Sequence, residues 1–215
     1  IWLSEIILQQ TRIAQGWEYW ERFVQTYPKV ENLAAASEDD VLKLWQGLGY
    51  YSRARNLHTA AKQIVALGSF PNTLDGIKSL KGVGDYTAAA IGSFAFDIPA
   101  AVVDGNVYRV LSRYFGIDTP INSTQGKKEF AALAQSLLPA SDAASYNQGL
   151  MDFGAIQCTP QSPKCLLCPL AETCEALRSG RVEELPVKNK TVKVKTRHLS
   201  YICLLYTSPS PRDRG

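Results

Sequence analysis

Four cysteines near the C-terminal end of the chain could together hold a metal centre. Cys158, Cys165, Cys168 and Cys174 are separated by six, two and five residues. Ligation by thiolates alone suits either structural zinc or an iron–sulfur cluster. Zinc sites usually contain two close pairs of cysteines, and this set contains one. The spacing therefore favours an iron–sulfur cluster, with zinc and unliganded thiols as the alternatives.

A second group of residues could bind phosphate. Gly82, Val83 and Gly84 lie between two predicted helices, where they can form a tight turn with exposed backbone N–H groups and with Val83 packed inward. Such groups beside a helix N-terminus attract phosphate without any side-chain charge. An isolated GVG could equally be a helix C-cap followed by a turn. Leu80 before it and Thr87-Ala88 after it match the helix–hairpin–helix pattern of DNA repair proteins.

The composition limits the classes of protein to consider. Hydrophobic residues make up 46% of 215, enough for a sizeable core. Four of the five cysteines are grouped, unlike an extracellular disulfide framework, which indicates a reducing compartment. No apolar run approaches membrane-spanning length and no signal peptide is evident, so no membrane partner is expected. Residues 178–198 carry seven Lys and Arg against two Glu, which suits either a polyanion or a solvated linker.

The elements that must position these residues are predicted to be helices. Apolar residues recur at helical spacing, as at Val107, Val110, Leu111 and Tyr114. Glycines and prolines divide the pattern into helices of roughly ten to fifteen residues joined by short loops. The sequence therefore predicts an all-α protein built as a compact bundle.

Together, these motifs resemble the catalytic region of adenine DNA glycosylases, the MutY family of the endonuclease III superfamily of helix–hairpin–helix glycosylases. The resemblance runs from residue 1 to about residue 206. It rests on residues 2–11 (WLSEIILQQT), 47–55 (GLGYYSRAR), 80–88 (LKGVGDYTA) and 103–107 (VDGNV), and on the cysteine set. It implies an endonuclease III-like, two-domain helical core and a 4Fe–4S cluster held by the four cysteines.

The resemblance also implies the catalytic residues. Glu5 would protonate adenine, and its apolar helical neighbours favour the acid form that this role requires. Asp104, at a predicted helix N-cap, would face the cationic sugar of an oxocarbenium-like transition state. Tyr86 stands where bifunctional relatives carry a lysine that forms a Schiff base, and its hydroxyl would lie near Asp104. Lys81 lies on the wrong side of the hairpin to replace that lysine.

A monofunctional glycosylase of base excision repair is therefore implied, which hydrolyses the bond to adenine mispaired with 8-oxoguanine or guanine. One alternative is a thymine or pyrimidine glycosylase of the same superfamily, which residues 5–11 (EIILQQT) disfavour. Another is a non-catalytic iron–sulfur DNA-binding module, which Glu5 and Asp104 disfavour. The expected partner is double-stranded DNA with A:8-oxoG or A:G mispairs, bound by a monomer.

An enzyme that acts on a base in a duplex must extrude that base and fill the gap. The predicted DNA contacts are Leu8, Gln9, Gln10, Tyr50, Gly82, Val83, Gly84 and Asn106. Packing against Trp45 is the alternative for Tyr50, and continuation of the turn is the alternative for Asn106. Arg53 and Arg55 are expected either at phosphates or as exposed helix charges.

The predicted organisation has five parts. Residues 1–98 form a six-helix domain with the hairpin and Glu5, and residues 99–178 form a helical domain with Asp104 and the cluster loop. Residues 179–197 are a basic linker, 198–206 (HLSYICLLY) a strand opening a Nudix-like domain, and 207–215 a non-native tail. Both ends are expected to be truncated, without the family's N-terminal helix. The expected location is cytoplasmic and nucleoid-associated, in a bacterium.

Overall fold

A computed structural model describes residues 1–189 of the chain, and no strand occurs among these residues. They form eleven α-helices: α1 (Trp2–Leu8), α2 (Ile13–Thr26), α3 (Val30–Ala35), α4 (Glu38–Trp45), α5 (Ser52–Leu67), α6 (Leu74–Lys78), α7 (Asp85–Phe96), α8 (Gly105–Phe115), α9 (Thr124–Leu137), α10 (Ala143–Ile156) and α11 (Glu175–Arg178). Two short 3₁₀ turns, Cys165–Leu167 and Ala171–Thr173, lie between α10 and α11. The all-α prediction is confirmed for this part of the chain.

Polar side chains at the N-termini and glycines at the C-termini define several of these helices. Ser37, Thr73 and Ser123 each accept a hydrogen bond from a backbone N–H in the first turn of α4, α6 and α9. Gly68 and Gly116 end α5 and α8 in the left-handed conformation, which glycine adopts without steric cost. Local sequence chemistry therefore determines where these helices begin and end.

The largest buried cluster joins α1, α2, α4, α5 and α7. Phe23 and Trp45 meet edge to face at its centre, with ring centroids 5.8 Å apart. Each large apolar side chain buried in this way contributes about 1.5–3 kcal/mol to folding. Ile6 and Ile7 bury one side of α1 in this cluster, which fixes the helix that carries Glu5.

The middle of α7 is buried and, apart from Ile91, consists of small residues, so neighbouring helices can approach it closely. Ala89 and Ala90 pack with Ala100 and Val102 in a second cluster. A third cluster, around Phe130, joins α8 and α9. The helix α7 packs against α1, α6 and α10. It is therefore the element that connects the two groups of helices.

Residues 181–189 follow α11 along the surface of the α8–α9 loop. Leu185 is buried, and the Val187 carbonyl accepts a 3.0 Å bond from Ile121 N–H. Asn122 exchanges two 2.9 Å hydrogen bonds with the backbone of Asn189. We call residues 185–189 the strap. The first half of the predicted linker is thus packed on the protein.

The remaining predictions concern the domain boundary and the C-terminal end of the chain. The division near residue 98 remains a prediction; seven helical segments precede it, of which α3 and α6 have only six and five residues. The second half of the linker, the strand at 198–206 and the tail at 207–215 lie outside the described residues. Within residues 1–189, no helix is both long and apolar enough to cross a membrane.

Candidate active site and cysteine centre

Glu5 lies in the middle of α1, half-buried beside the two isoleucines that anchor the helix. Burial raises the pKa of Glu5 above its usual value, and the positive charge of the chain's N-terminus offsets part of this effect. Desolvation disfavours the charged form of a carboxyl group. This side chain is therefore disposed to keep a proton at a pH where an exposed glutamate would lose it.

Tyr86 lies in the first turn of α7, close to both predicted catalytic carboxyl groups. Burial raises its pKa to about 12, and the negative charges of Glu5 and Asp104 add to the shift. Its side chain still reaches solvent, since 42% of the residue's surface is exposed. The structure thus brings Glu5, Tyr86 and Asp104, which are far apart in sequence, to one partly open site.

Asp104 is the N-cap of α8, as the sequence predicts. Its Oδ1 accepts hydrogen bonds of 2.8 Å from the backbone N–H groups of Asn106 and Val107. Its Oδ2 accepts a third, also of 2.8 Å, from the Asn106 side-chain amide. Three donors therefore fix the position of the carboxylate.

Asn106 and Arg109 connect Asp104 to the cysteine region. The Asn106 amide oxygen accepts a 2.8 Å bond from Arg109. The same guanidinium donates 2.6 Å bonds to the carbonyls of Gly154 and Cys158. A Cβ added to Gly154 would lie only 2.7 Å from Asn106 Cβ. The Asn106 side chain therefore helps to hold the turn around Asp104, as one of the two predicted alternatives requires. The other alternative, contact with a nucleotide, remains a prediction.

The expectation that Arg53 faces phosphates or solvent is wrong. Only 8% of the residue is exposed, and its guanidinium lies between the end of α1 and the loop before α5. Its two Nη groups, with four N–H bonds, lie within hydrogen-bonding distance of six acceptors: the backbone carbonyls of Ile6, Ile7, Gln9, Leu48 and Gly49 and the Thr11 hydroxyl. The last carbonyls of a helix have no partner within that helix, and Arg53 supplies donors for those of α1. Arg55, by contrast, is exposed and pairs with Glu38 at 3.2 Å.

The predicted wedge residues differ in their exposure. Gln10 and Tyr50 both have left-handed backbones, at φ 57° and 47°, and both are exposed, Tyr50 at 66%. Leu8 and Gln9 are half-buried. The Gln9 amide donates a 3.2 Å bond to Thr87, the buried neighbour of Tyr86. Gln10 and Tyr50 are the members of the set that present their side chains to solvent.

The glycine hairpin has the expected form between α6 and α7. Gly82 has φ 81°, and a Cβ there would lie 2.7 Å from Asn56 Cβ, so glycine suits both the backbone and the space. Val83 packs into the largest core cluster. Nothing lies within 4 Å of the position that a Cβ on Gly84 would occupy. The hairpin therefore has an anchored interior and an open outer surface.

The four cysteines line a single cavity between α8, α10 and α11. Burial, followed by the charges of the other three thiols, raises the pKa of Cys165, so the sulfurs are near neighbours. Among residues 1–189, no three His, Cys, Asp or Glu side chains are arranged around the position of a single metal ion. A donor set of four thiols around one cavity fits a group of several atoms, and an iron–sulfur cluster would supply such a group.

Comparison with known proteins places the chain in a family. Residues 3–139 match the model of the HhH-GPD superfamily base excision DNA repair proteins. Residues 158–174 match the iron–sulfur binding domain of endonuclease III. The chain belongs to the HhH-GPD superfamily of base excision DNA repair proteins. The predicted iron–sulfur cofactor is confirmed, with the four cysteines inside the matched segment.

Within this superfamily, curated relatives are named adenine DNA glycosylase, which bears out the resemblance. The chain is 41% identical to the mouse protein over 99% of its own length and 42% of that protein. It is 38% identical to the protein of Buchnera aphidicola from Acyrthosiphon pisum, over 88% of the chain and 55% of the relative. The chain spans about half the length of these relatives. They come from an animal and a bacterium, so they do not establish the predicted bacterial source.

Solved structures agree on the fold. A thermostable thymine-DNA glycosylase superposes with a TM-score of 0.76 at 32% identity, over 83% of each chain. A non-covalent endonuclease III–DNA complex superposes with a TM-score of 0.70 at 24% identity, over 83% of this chain and 84% of that one. The endonuclease III-like fold is thereby confirmed.

Proposed function

We propose that this chain is the catalytic region of a monofunctional adenine DNA glycosylase. It would hydrolyse the N-glycosidic bond of adenine mispaired with 8-oxoguanine or guanine in double-stranded DNA. The proximity of Tyr86 to both Glu5 and Asp104 is the observation that carries the proposal. The names of the curated relatives support adenine as the base that is released.

Glu5 is proposed as the general acid. Adenine is a poor leaving group until a ring nitrogen is protonated, so cleavage needs an acid that still holds its proton near neutral pH. Burial raises the pKa of Glu5, which is the direction that this role requires. After the base departs, the resulting carboxylate can accept a proton from the attacking water.

Asp104 is proposed as the group that faces the sugar. As the glycosidic bond breaks, positive charge develops on the sugar ring, and a fixed negative charge nearby stabilises it. The hydrogen bonds from Asn106 and Val107 hold this carboxylate before the substrate arrives. A group held in advance need not reorganise during the reaction, which is why fixed charges stabilise transition states efficiently.

The presence of a tyrosine at position 86 favours water over an amine as the nucleophile. A phenol with a pKa of about 12 is neutral under working conditions and keeps its hydroxyl proton beside the two carboxyl groups. It has no amine for a Schiff base with the opened sugar. The proposed enzyme therefore releases the base and leaves the DNA strand intact.

The proposed DNA-binding surface consists of residues whose side chains or backbone face the solvent. Gln10 and Tyr50 project from two neighbouring loops that Arg53 ties together, so they are the proposed wedges. Insertion of an aromatic ring beside an extruded base offsets part of the unstacking cost of a few kcal/mol. The open face around Gly84 at the start of α7 is the proposed phosphate contact. A monomer suffices for this arrangement.

A single-turnover base-release assay tests the proposal. Duplexes should carry adenine opposite 8-oxoguanine, guanine or thymine, and in parallel thymine opposite guanine. We expect adenine release opposite 8-oxoguanine and guanine. Release of thymine alone would favour the activity in the name of the 32% identical structural neighbour. Tight binding of the mispaired duplexes without any release would favour a non-catalytic module.

A further inference from the structure

Arg113 occupies a buried position between the cysteine cavity and the strap. It lies near the end of α8, and only 3% of the residue is exposed. Its Nη1 lies 3.4 Å from Cys158 Sγ and 2.7 Å from the Thr159 carbonyl. Its other donors reach the carbonyls of Pro160, at 3.2 Å, and Leu185, at 3.1 Å. The guanidinium is therefore held in place from several directions.

The charge of Arg113 has no carboxylate partner among the contacts within residues 1–189. Its acceptors there are three backbone carbonyls and one sulfur. A buried cation is costly unless a negative charge compensates it. Once the cysteines are deprotonated to bind iron, their negative charges lie beside it and supply that compensation.

Arg109, one turn earlier on α8, provides a contrast. It reaches the Cys158 carbonyl and Asn106, and no hydrogen bond joins it to a sulfur in this part of the chain. Arg109 therefore supports the Asp104 side of α8. Arg113, by contrast, places its guanidinium directly beside the sulfur of Cys158, which is a predicted iron ligand.

We propose that Arg113 sets the reduction potential of the iron–sulfur cluster held by the four cysteines. Hydrogen bonds to cluster sulfurs and nearby positive charge are known determinants of such potentials. The guanidinium stabilises whichever state of a redox couple carries the extra electron, so it raises the potential of that couple. This inference rests on the iron–sulfur domain and is independent of which base the protein releases.

The test compares three variants of the full chain, purified without oxygen: Arg113→Gln, Arg113→Lys and, as a control, Arg178→Gln. The control removes an exposed arginine close in sequence to Cys174 that pairs with Glu175. Charges in solvent are screened and act weakly at a distance. The readouts are iron content, folding by circular dichroism, and the one-electron midpoint potential measured at an electrode.

We expect the midpoint of Arg113→Gln to fall by about 59 mV, which is a tenfold lower ratio of reduced to oxidised cluster at a fixed potential. Arg113→Lys should fall less because it keeps the charge, and Arg178→Gln should match the parent. Equal midpoints for Arg113→Gln and the parent, at equal iron content, would overturn the proposal. Folded Arg113→Gln and Arg113→Lys proteins that both fail to retain iron would also overturn it, because the role of Arg113 would then be purely structural.

Discussion

Tyr86 lies near two carboxyl groups that are proposed to work in opposite protonation states. Glu5 is proposed to act while protonated, and Asp104 while charged. The surroundings of the two groups differ: burial raises the pKa of Glu5, whereas three hydrogen-bond donors hold the Asp104 side chain in position. Pairs of acids that differ in this way are typical of sites that break glycosidic bonds.

At the residue scale, we predict that Glu5→Gln slows adenine release by about 10²–10⁴-fold, the usual contribution of a general acid. The amide has the shape of the acid but cannot deliver its proton, so binding to mispaired DNA should persist. Single-turnover kinetics and a binding titration measure the two effects. Glu18→Gln, on the exposed side of α2, is the control and should behave as the parent. Near-parental release by Glu5→Gln would show that another group is the acid.

The assignment of Glu5 as the general acid also predicts how the rate of base release depends on pH. Glu5 acts in its protonated form, which exists below its pKa, so the rate of release should fall as pH rises through that pKa. Because burial raises the pKa, this fall should occur at a higher pH than for an exposed glutamate. A pH–rate profile measures it, and Glu5→Gln should lack this descending limb. A profile with the same limb in both proteins would contradict the assignment.

Tyr86→Lys should introduce an activity that the parent lacks. An amine at this position, beside Asp104 and the opened sugar, should form a Schiff base that borohydride traps on substrate DNA. Adenine release should fall at the same time, since the hydroxyl is lost. Tyr86→Phe, which removes the hydroxyl without adding an amine, should slow release with no trapping. Strong trapping by the parent that Tyr86→Lys does not increase would show that another lysine is the nucleophile.

At this scale, the sequence predicts a residue's role when that role depends on residues nearby in the chain. The capping geometry of Asp104 and the inward packing of Val83 follow from neighbours in sequence. The position of Arg53 was not predictable because four of its six acceptors, among them the Ile7 carbonyl, lie more than forty positions away in sequence. A helical pattern shows where a residue lies on its own helix and not which distant helix end needs donors.

At the scale of the helices, the bond between Gln9 and Thr87 joins the end of α1 to the start of α7. The first of these helices carries Glu5 and the second carries Tyr86. Arg53 also donates a hydrogen bond to the last turn of α1, at the Ile7 carbonyl. The spacing between the acid and the phenol therefore depends on contacts made by residues that need not touch the substrate.

We predict that Thr87→Val slows base release about twofold to tenfold, the effect of losing one hydrogen bond worth about 0.5–1.5 kcal/mol. The rate at saturating DNA should fall while the dissociation constant stays unchanged, because the contact spaces helices. Thr87→Ser keeps the hydroxyl and should restore the rate. Thr59→Val is the matched control, since that exposed hydroxyl bonds only to its own helix. An equal loss in Thr87→Ser would indicate altered packing instead.

The helices themselves were predictable because apolar periodicity and turn residues are local signals. The hairpin and its two flanking helices were predicted in order, and the structure contains them. The side-chain partner of Gln9 was not predictable, since its environment depends on how α1 and α7 pack. For the same reason, the sequence left two alternatives open for Asn106.

At the scale of the molecule, the cysteine centre lies at a junction of α8, α10, α11 and the strap. Few buried apolar side chains support residues 158–174, so the bound cluster must supply much of their order. The predicted linker began at residue 179, and the structure instead packs residues 185–189 against the α8–α9 loop. Basic composition alone does not distinguish a solvated linker from a docked one.

We predict that the purified protein is brown, contains about four irons per chain, and loosens locally when iron is removed. Amide hydrogen exchange should accelerate in residues 158–174 and, through Arg113, in the strap. The helix α5, whose inner face packs in the largest core cluster, serves as the internal control and should stay protected. Faster exchange throughout the chain would mean that the cluster supports the whole fold, and an unchanged strap would exclude the coupling through Arg113.

The close approach of Gly154 to Asn106 bears on how sequence variants in this protein should be interpreted. Gly154→Ala resembles a harmless change, and alanine favours a helix by up to about 1 kcal/mol over glycine. Its methyl group would nevertheless press on the residue that supports Asp104. Gly149→Ala, earlier in the same helix, adds its methyl group to open space. Overpacking against a Cβ and backbone typically costs about 1–3 kcal/mol, more than the gain in helix propensity. We therefore expect Gly154→Ala to lower both melting temperature and repair activity and Gly149→Ala to preserve both, so that two alleles with the same change in one helix would deserve opposite classifications.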